Sequence, residues 1–189
     1  MADEIGKTLL EGYFSRLAEG LKAIPIDALL ELGQTISRVR NQGKTVWICG
    51  NGGSAATSSH MQVDLSFGVV PGVKARALNE NSASITATGN DVAFEEIFAR
   101  QIALEGVEGD LLLVISASGN SKNLLRAVEE AKAKRITTAG LVGFDGGKLK
   151  NLVDLVIHTP TKIGDYGVAE DLHACVNHAI KELLNKGLR

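Results

Sequence analysis

Aromatic residues are scarce in this 189-residue chain: one Trp, two Tyr and five Phe, 4% of the total. A core built from such a composition is aliphatic and alanine-rich, as when helices pack on a parallel sheet. Charge of neither sign dominates. The 20 Lys and Arg stand against 22 Asp and Glu, for a formal net charge of -2, and no Lys/Arg block stands out. The basic footprint that nucleic acid or an anionic membrane surface requires is missing. Cysteine is limited to Cys49 and Cys175, far apart and in apolar surroundings, which predicts reduced, buried thiols in a cytosolic protein. No apolar run approaches the ~18 residues of a membrane span, and the first residues form no apolar signal core, so neither a membrane span nor export is expected. What remains is 44% hydrophobic residues at a mean hydropathy of +0.08, enough for one sizeable core in a chain of single-domain length.

The N-terminal part reads as helical. Leu9, Leu10, Tyr13, Phe14, Leu17 and Leu21 recur at helix spacing until Pro25 interrupts them. A second helix follows Asp27, turns Leu29, Leu32, Ile36 and Val39 inward, and stops at Gly43. The apolar faces of these two helices suit a core or a subunit interface. From Lys44 onward strands and helices alternate, with predicted strands at 45–49, 74–78, 110–115, 136–142 and 153–158. Residues 159–165 form a loop around Pro160, and a terminal helix runs from about Tyr166 to Lys186. One domain over 1–189 therefore divides into N-terminal helices (1–43), an α/β core (44–165) and a C-terminal helix (166–189). Alternation of this kind predicts a flavodoxin-like, five-stranded parallel sheet of order 2-1-3-4-5 with helices on both faces. Its switch point falls between the first and third strands, where ligands bind beyond the carboxyl ends.

Two polar loops follow those two strands. Gly50-Asn51-Gly52-Gly53-Ser54 leaves the apolar run Thr45–Cys49 and enters a helical stretch that carries His60 and Asp64 on one face. Ser116-Ala117-Ser118-Gly119-Asn120-Ser121 leaves the run Asp110–Ile115 and precedes a helix with Leu124, Leu125 and Val128 as its apolar positions. Glycines, hydroxyls and backbone amides at a helix start can hold a phosphate monoester without a lysine. Ser54 and Ser121 also have the residue type of plain N-caps. Neither loop fits the P-loop or dinucleotide fingerprint. A sugar phosphate suits the two loops better than a nucleotide.

Gly50-Asn51-Gly52-Gly53-Ser54, His60-x-x-x-Asp64, Gly89-Asn90-Asp91, Ser116-x-Ser118-Gly119-Asn120-Ser121 and Asp145-Gly146-Gly147 occur in that order. As a set they resemble the sugar isomerase (SIS) domain family, and within it the phosphoheptose isomerases, over nearly the whole chain. The resemblance implies that Ser116, Ser118 and Ser121, with Asn120 in the same loop, hold the substrate phosphate. It implies that Asn51, Gly52, Gly53 and Ser54 contact the sugar and that Asp91 lines the sugar site. It implies a divalent metal, usually zinc, at His60, Asp64, Glu170 and His178, with Asp64 as catalytic base and His178 as partner acid. It implies a cytoplasmic homotetramer that shares active sites between subunits and converts sedoheptulose 7-phosphate to D-glycero-D-manno-heptose 7-phosphate for heptose and surface-polysaccharide biosynthesis. The alternatives are an isomerase for another sugar phosphate, or a non-catalytic sugar-phosphate-binding regulator of the same subfamily.

Several positions depart from the family pattern. Asp64 replaces a glutamate and Glu170 a glutamine, while Ala117, Gly167 and Gly68 stand where threonine, aspartate and arginine are common. Asp64 is shorter than glutamate by one methylene. Glu170 and His178 lie about 12 Å apart along a helix axis, so both side chains must reach toward a midpoint to share an ion. His173 is five residues from His178 and therefore on a different face; neither it nor His158 is expected to do chemistry.

Overall fold

The computed structural model describes residues 2–187; Met1, Leu188 and Arg189, at the ends of the predicted 1–43 and 166–189 segments, lie outside the described residues. Five strands form one parallel sheet: β1 (Val46–Gly50), β2 (Ala75–Ala77), β3 (Leu111–Ser116), β4 (Thr137–Val142) and β5 (Leu155–His158). Their order is β2-β1-β3-β4-β5, as the alternation predicts. β1 and β3 are buried at every residue, the pattern of central strands covered on both faces. The edge strands β2 and β5 alternate between buried and partly or fully exposed residues. Register runs from Val46 beside Leu111 to Gly50 beside Ile115, so the two polar loops leave the sheet at the same level. The single tryptophan is anchored at the opposite end: buried Asp110 accepts hydrogen bonds from Trp47 Nε1 at 2.8 Å and from the Thr45 amide at 2.9 Å.

Helices α2 (Ile26–Asn41), α3 (Gly53–Phe67) and α8 (Tyr166–Lys186) cover one face of the sheet. They contribute Leu32, Ile36, Met61, Leu65, Val176, Ile180 and Leu184 to one continuous core. Helices α5 (Ala99–Glu105), α6 (Lys122–Ala133) and the one-turn α7 (Leu149–Leu152) cover the other, with Ile102, Leu124, Val128 and Leu149 inward. α4 (Ser82–Asp91) buries no residue; its start is capped by Asn81, whose side chain accepts the Ser84 amide at 3.0 Å. The expected inward face of α2 is observed, since Leu29, Leu32, Ile36 and Val39 are all buried.

α1 (Ala2–Lys22) differs. It packs against α8, where Gly20 lies so close to Leu172 that an added Cβ would come within 2.6 Å of it. Tyr13 donates a short hydrogen bond to Asp171, and Arg16 pairs with Asp165 at 2.7 Å. Ile5, Leu9, Leu10 and Phe14 are nevertheless 59–69% exposed. The cysteines need one correction: Cys49 is buried, its thiol pushed up by burial, but Cys175 is exposed on α8. Alternation of apolar neighbours on a helix does not by itself say which side faces the sheet. Among the described residues no helix is long and apolar enough to cross a membrane.

Candidate active site

β1 ends against the start of α3, and β3 ends against the start of α6. A cleft of about 140 Å³ opens between them, lined by Asn51 and Ser54 from one loop and Ser116, Ser118 and Ser121 from the other. Ile115, Ala117, Tyr166 and Glu170 complete its wall. The two loops thus meet at the switch point. Neither serine hydroxyl is spent on capping: the N-cap of α3 is Gly52, and Ser121 holds the N-cap position of α6 without a side-chain capping bond. The first N–H groups of α6 have no intrahelical acceptor and add positive potential to this mouth.

The serine loop is braced from within. Ser116 Oγ accepts the Gly119 amide at 3.0 Å, and Ser118 Oγ accepts the Asn120 amide at 3.3 Å. Asn120 spends its side chain on scaffolding, donating to the Ser118 carbonyl at 2.9 Å and accepting from the Lys148 amide at 3.1 Å. The Asp145-Gly146-Gly147 turn lies directly beneath. Gly119, at φ +62°, approaches the Gly146 carbonyl so closely that a Cβ would sit 2.0 Å from its oxygen. Asn51 also turns inward, exchanging amide hydrogen bonds with Asn123 at 3.0 and 2.9 Å. Asn123, an unremarked residue in the sequence, is 2% exposed and is the link between the two loops.

His158 has a structural task. Lys150 Nζ can only donate, so His158 Nδ1 accepts at 3.2 Å and Nε2–H donates to the Phe144 carbonyl at 3.0 Å. This holds Phe144 at φ +41°, with its ring edge-on to Tyr166 at 5.0 Å on the cleft wall.

α3 and α8 run side by side in parallel, in constant register. Gly53 faces Glu170, Asp64 faces Lys181 and Gly68 faces Asn185. Midway along this seam His60 Nε2 and His178 Nε2 lie 3.5 and 3.7 Å from Asp64 Oδ2, with the two rings 5.0 Å apart. Their ligand atoms all fall within 4.8 Å of one another. Two imidazoles and one carboxylate are a zinc-type donor set that leaves a coordination position open, so the triad fits a divalent ion. Glu170 does not join it. Two turns up the seam, its carboxylate stands over Gly53, where a Cβ would fall 2.2 Å from Oε2. Its place is taken by one cation and one amide: Lys181 Nζ donates to Asp64 Oδ1 at 2.6 Å and Asn177 Nδ2 to Oδ2 at 2.9 Å. Burial alone would raise the Asp64 pKa, but Lys181, Asn177 and His60 outweigh it and hold the carboxyl below its ordinary value. Gly68 makes room for Lys181, since a Cβ there would meet Lys181 Cε at 2.6 Å.

Asp91 is exposed at the end of α4, where among the described residues it accepts a hydrogen bond from the Asn90 amide at 2.7 Å, and it does not line this chain's cleft. His173 is fully buried; neither ring nitrogen has a well-aligned partner. Burial lowers its pKa to about 4, only partly offset by the Val142 carbonyl.

Topology and cleft together define a doubly wound α/β protein with a cleft at the switch point, whose hydroxyls and helix N-termini suit a phosphate monoester. The SIS domain family matches residues 12–143. Phosphoheptose isomerase of Helicobacter pylori (strain HPAG1) is 37% identical over 189 residues, covering 98% of this chain and 97% of that protein. The phosphoheptose isomerase of a Nitratiruptor species is 38% identical over 98% of this chain and 99% of its own length. Among solved structures, a phosphoheptose isomerase from Francisella tularensis superposes with a TM-score of 0.88 at 29% identity, covering 98% of this chain and 99% of that one. The chain belongs to the SIS domain family and, within it, to the phosphoheptose isomerases.

Proposed function

We propose that the chain interconverts sedoheptulose 7-phosphate and D-glycero-D-manno-heptose 7-phosphate in the cytoplasm, supplying heptose for surface polysaccharide. The observation that carries this reading is the meeting of Ser54 with Ser116, Ser118 and Ser121 in one cleft, next to the α3–α8 seam that holds the His60–Asp64–His178 triad. The serine loop and the start of α6 grip the phosphate. The chain of the sugar then extends along the seam, so the carbonyl end reaches the imidazoles. A divalent ion, read as zinc, would be held by His60, Asp64 and His178, and when bound it supplies polarisation of the sugar carbonyl. His178, 58% exposed at its side chain, serves as the acid that delivers a proton to a sugar oxygen.

We read the exposed apolar row of α1, together with Phe67 at 81% exposure on α3, as subunit interface, and the assembly as a homotetramer with shared sites. In that assembly Asp91 contributes to a neighbour's cleft.

The test follows conversion of sedoheptulose 7-phosphate to the aldose by NMR, across a panel of ketose phosphates of different length. The heptose ester should react with the highest kcat/KM. A panel inert throughout would end this reading. Sedimentation of the protein should give four subunits, and a monomer would remove the shared-site element.

A further inference from the structure

We propose that Lys181 is the internal counter-cation of the His60–Asp64–His178 triad, a positioning residue that holds zinc affinity down and leaves more positive charge on the ion for the sugar carbonyl. The inference rests on the metal element of the isomerase reading above and deepens it.

Lys181 follows His178 by three residues and Asn177 by four, so one face of α8 carries all three to Asp64. The carboxylate divides its oxygens among them. Lys181 Nζ donates to Oδ1 at 2.6 Å, whereas the two imidazoles face Oδ2, which also accepts from Asn177 at 2.9 Å. A carboxylate offers about four lone-pair sites, so the ammonium and an ion can share Asp64 without contesting one oxygen. The backbone makes room for this cation. A Cβ on Gly68 would meet Lys181 Cε at 2.6 Å and Nζ at 3.0 Å, so a larger residue there would push the ammonium away. Asp64 is 4% exposed, and its burial weakens the solvent screening that cancels most surface pairs.

The consequence follows from charge. Imidazoles bind a metal as neutral rings, so Asp64 is the single anionic donor of the triad. Glu170, farther along the seam, has its carboxylate over Gly53. With Lys181 in place, the donor set and its ammonium sum to zero, and the charge of a divalent ion is not offset by the triad. Repulsion between ammonium and ion weakens binding, while the unquenched charge polarises a carbonyl more strongly. A lysine with a purely structural duty predicts the reverse for binding. Removing an outer-shell partner of a metal ligand ordinarily costs about 10–100-fold in affinity or activity.

The experiment compares wild type, Lys181→Gln, Lys181→Met and Lys181→Arg as full-length, assembled proteins. Zinc affinity is read by competition with a chromophoric chelator at one pH and ionic strength, thermal midpoints with and without saturating zinc, and kcat on sedoheptulose 7-phosphate at saturating zinc. Lys181→Gln and Lys181→Met should bind zinc roughly 5–150-fold more tightly than wild type, the ordinary range of a coupling between two bound charges. Both should also gain more thermal stability from zinc than wild type does. Lys181→Arg keeps the charge and should bind zinc as wild type does. Despite its tighter zinc, Lys181→Gln should lose roughly tenfold in kcat. Should Lys181→Met not fold without metal, Lys181→Gln, which keeps an N–H donor for Asp64, carries the comparison. Zinc affinity unchanged or weaker in the neutral variants would overturn the assignment, as would an undiminished kcat in Lys181→Gln. Wild type that takes up no zinc removes the metal from the reading above and this inference with it. Wild type that binds zinc but converts no ketose phosphate ends the isomerase reading alone, and the zinc affinities then decide this inference by themselves.

Discussion

Asn51 and Asn123 hold the two halves of the cleft together by exchanging two amide hydrogen bonds, at 3.0 and 2.9 Å. One residue follows β1 and the other opens α6, 72 positions later. Their reciprocal pairing makes the spacing of the glycine and serine loops a property of the folded backbone, set before any ligand arrives.

Replacing one partner should expose that dependence. Asn123→Ala leaves the Asn51 amide without its partner in a part-buried position, at a cost of about 1–3 kcal/mol. Chemical denaturation should show the loss, and the affinity for phosphorylated ligands should fall with it. The double variant Asn51→Ala/Asn123→Ala should be less destabilised than the sum of the singles, which a mutant cycle measures directly.

Ser121→Ala should separate binding from folding. Its hydroxyl lines the cleft and makes no capping bond. Thermal stability should change by less than about 0.5 kcal/mol, while affinity for a sugar phosphate drops roughly tenfold, the value of one hydrogen bond to a charged group. Calorimetry with phosphorylated and unphosphorylated sugar checks the assignment; equal losses for both would contradict phosphate recognition.

Lys181 neutralises Asp64 from within. Lys181→Met leaves a carboxylate that is 6% exposed at its side chain without its cation, and should cost about 1–3 kcal/mol given that the lysine itself is partly solvated. Asp64→Asn added to Lys181→Met should recover most of that loss. The sign of the pH effect follows from the lowered carboxyl pKa. The pair's stabilisation is present above the ordinary carboxylate range and is lost as pH falls through the folded value. Denaturation midpoints of wild type and Lys181→Met should converge in that acid range.

His173 predicts a second pH dependence. The ordinary value of 6.5 holds in the unfolded chain, whereas burial keeps the folded ring neutral down to about 4. Between those values the unfolded state binds the extra proton, so stability falls with falling pH, by about 3 kcal/mol in total. Below the folded value the dependence from this group ends. His173→Leu should flatten the profile from pH 6.5 to 4, and an unchanged slope would assign it to another group.

Much of this molecule can be read in its residues before any coordinates are seen. Strand order follows from runs such as Leu111–Ser116, apolar on both faces, separated by segments long enough for right-handed crossovers. Because such a sheet has one switch point, Gly50–Ser54 and Ser116–Ser121 are bound to face each other once their strands are recognised. The roles inside those loops are harder to read. Asn51 and Asn120 have the residue type of ligand contacts, yet they bond to Asn123 and to the Ser118 carbonyl and Lys148 amide. An amide side chain looks the same in a sequence whether it serves a sugar or the backbone beside it.

The sequence alone determined the architecture and the site's location, because hydrophobic period and loop chemistry are local properties that each segment carries with it. Tertiary structure alone decided how α3 and α8 slide along one another. That register places Glu170 at the cleft, Lys181 on Asp64 and His178 opposite His60. It goes with Met61 and Leu65 of α3 and Val176 and Ile180 of α8 sharing one buried core under the sheet. A shift of one helical turn would reassign every polar partner while leaving each helix's own pattern intact.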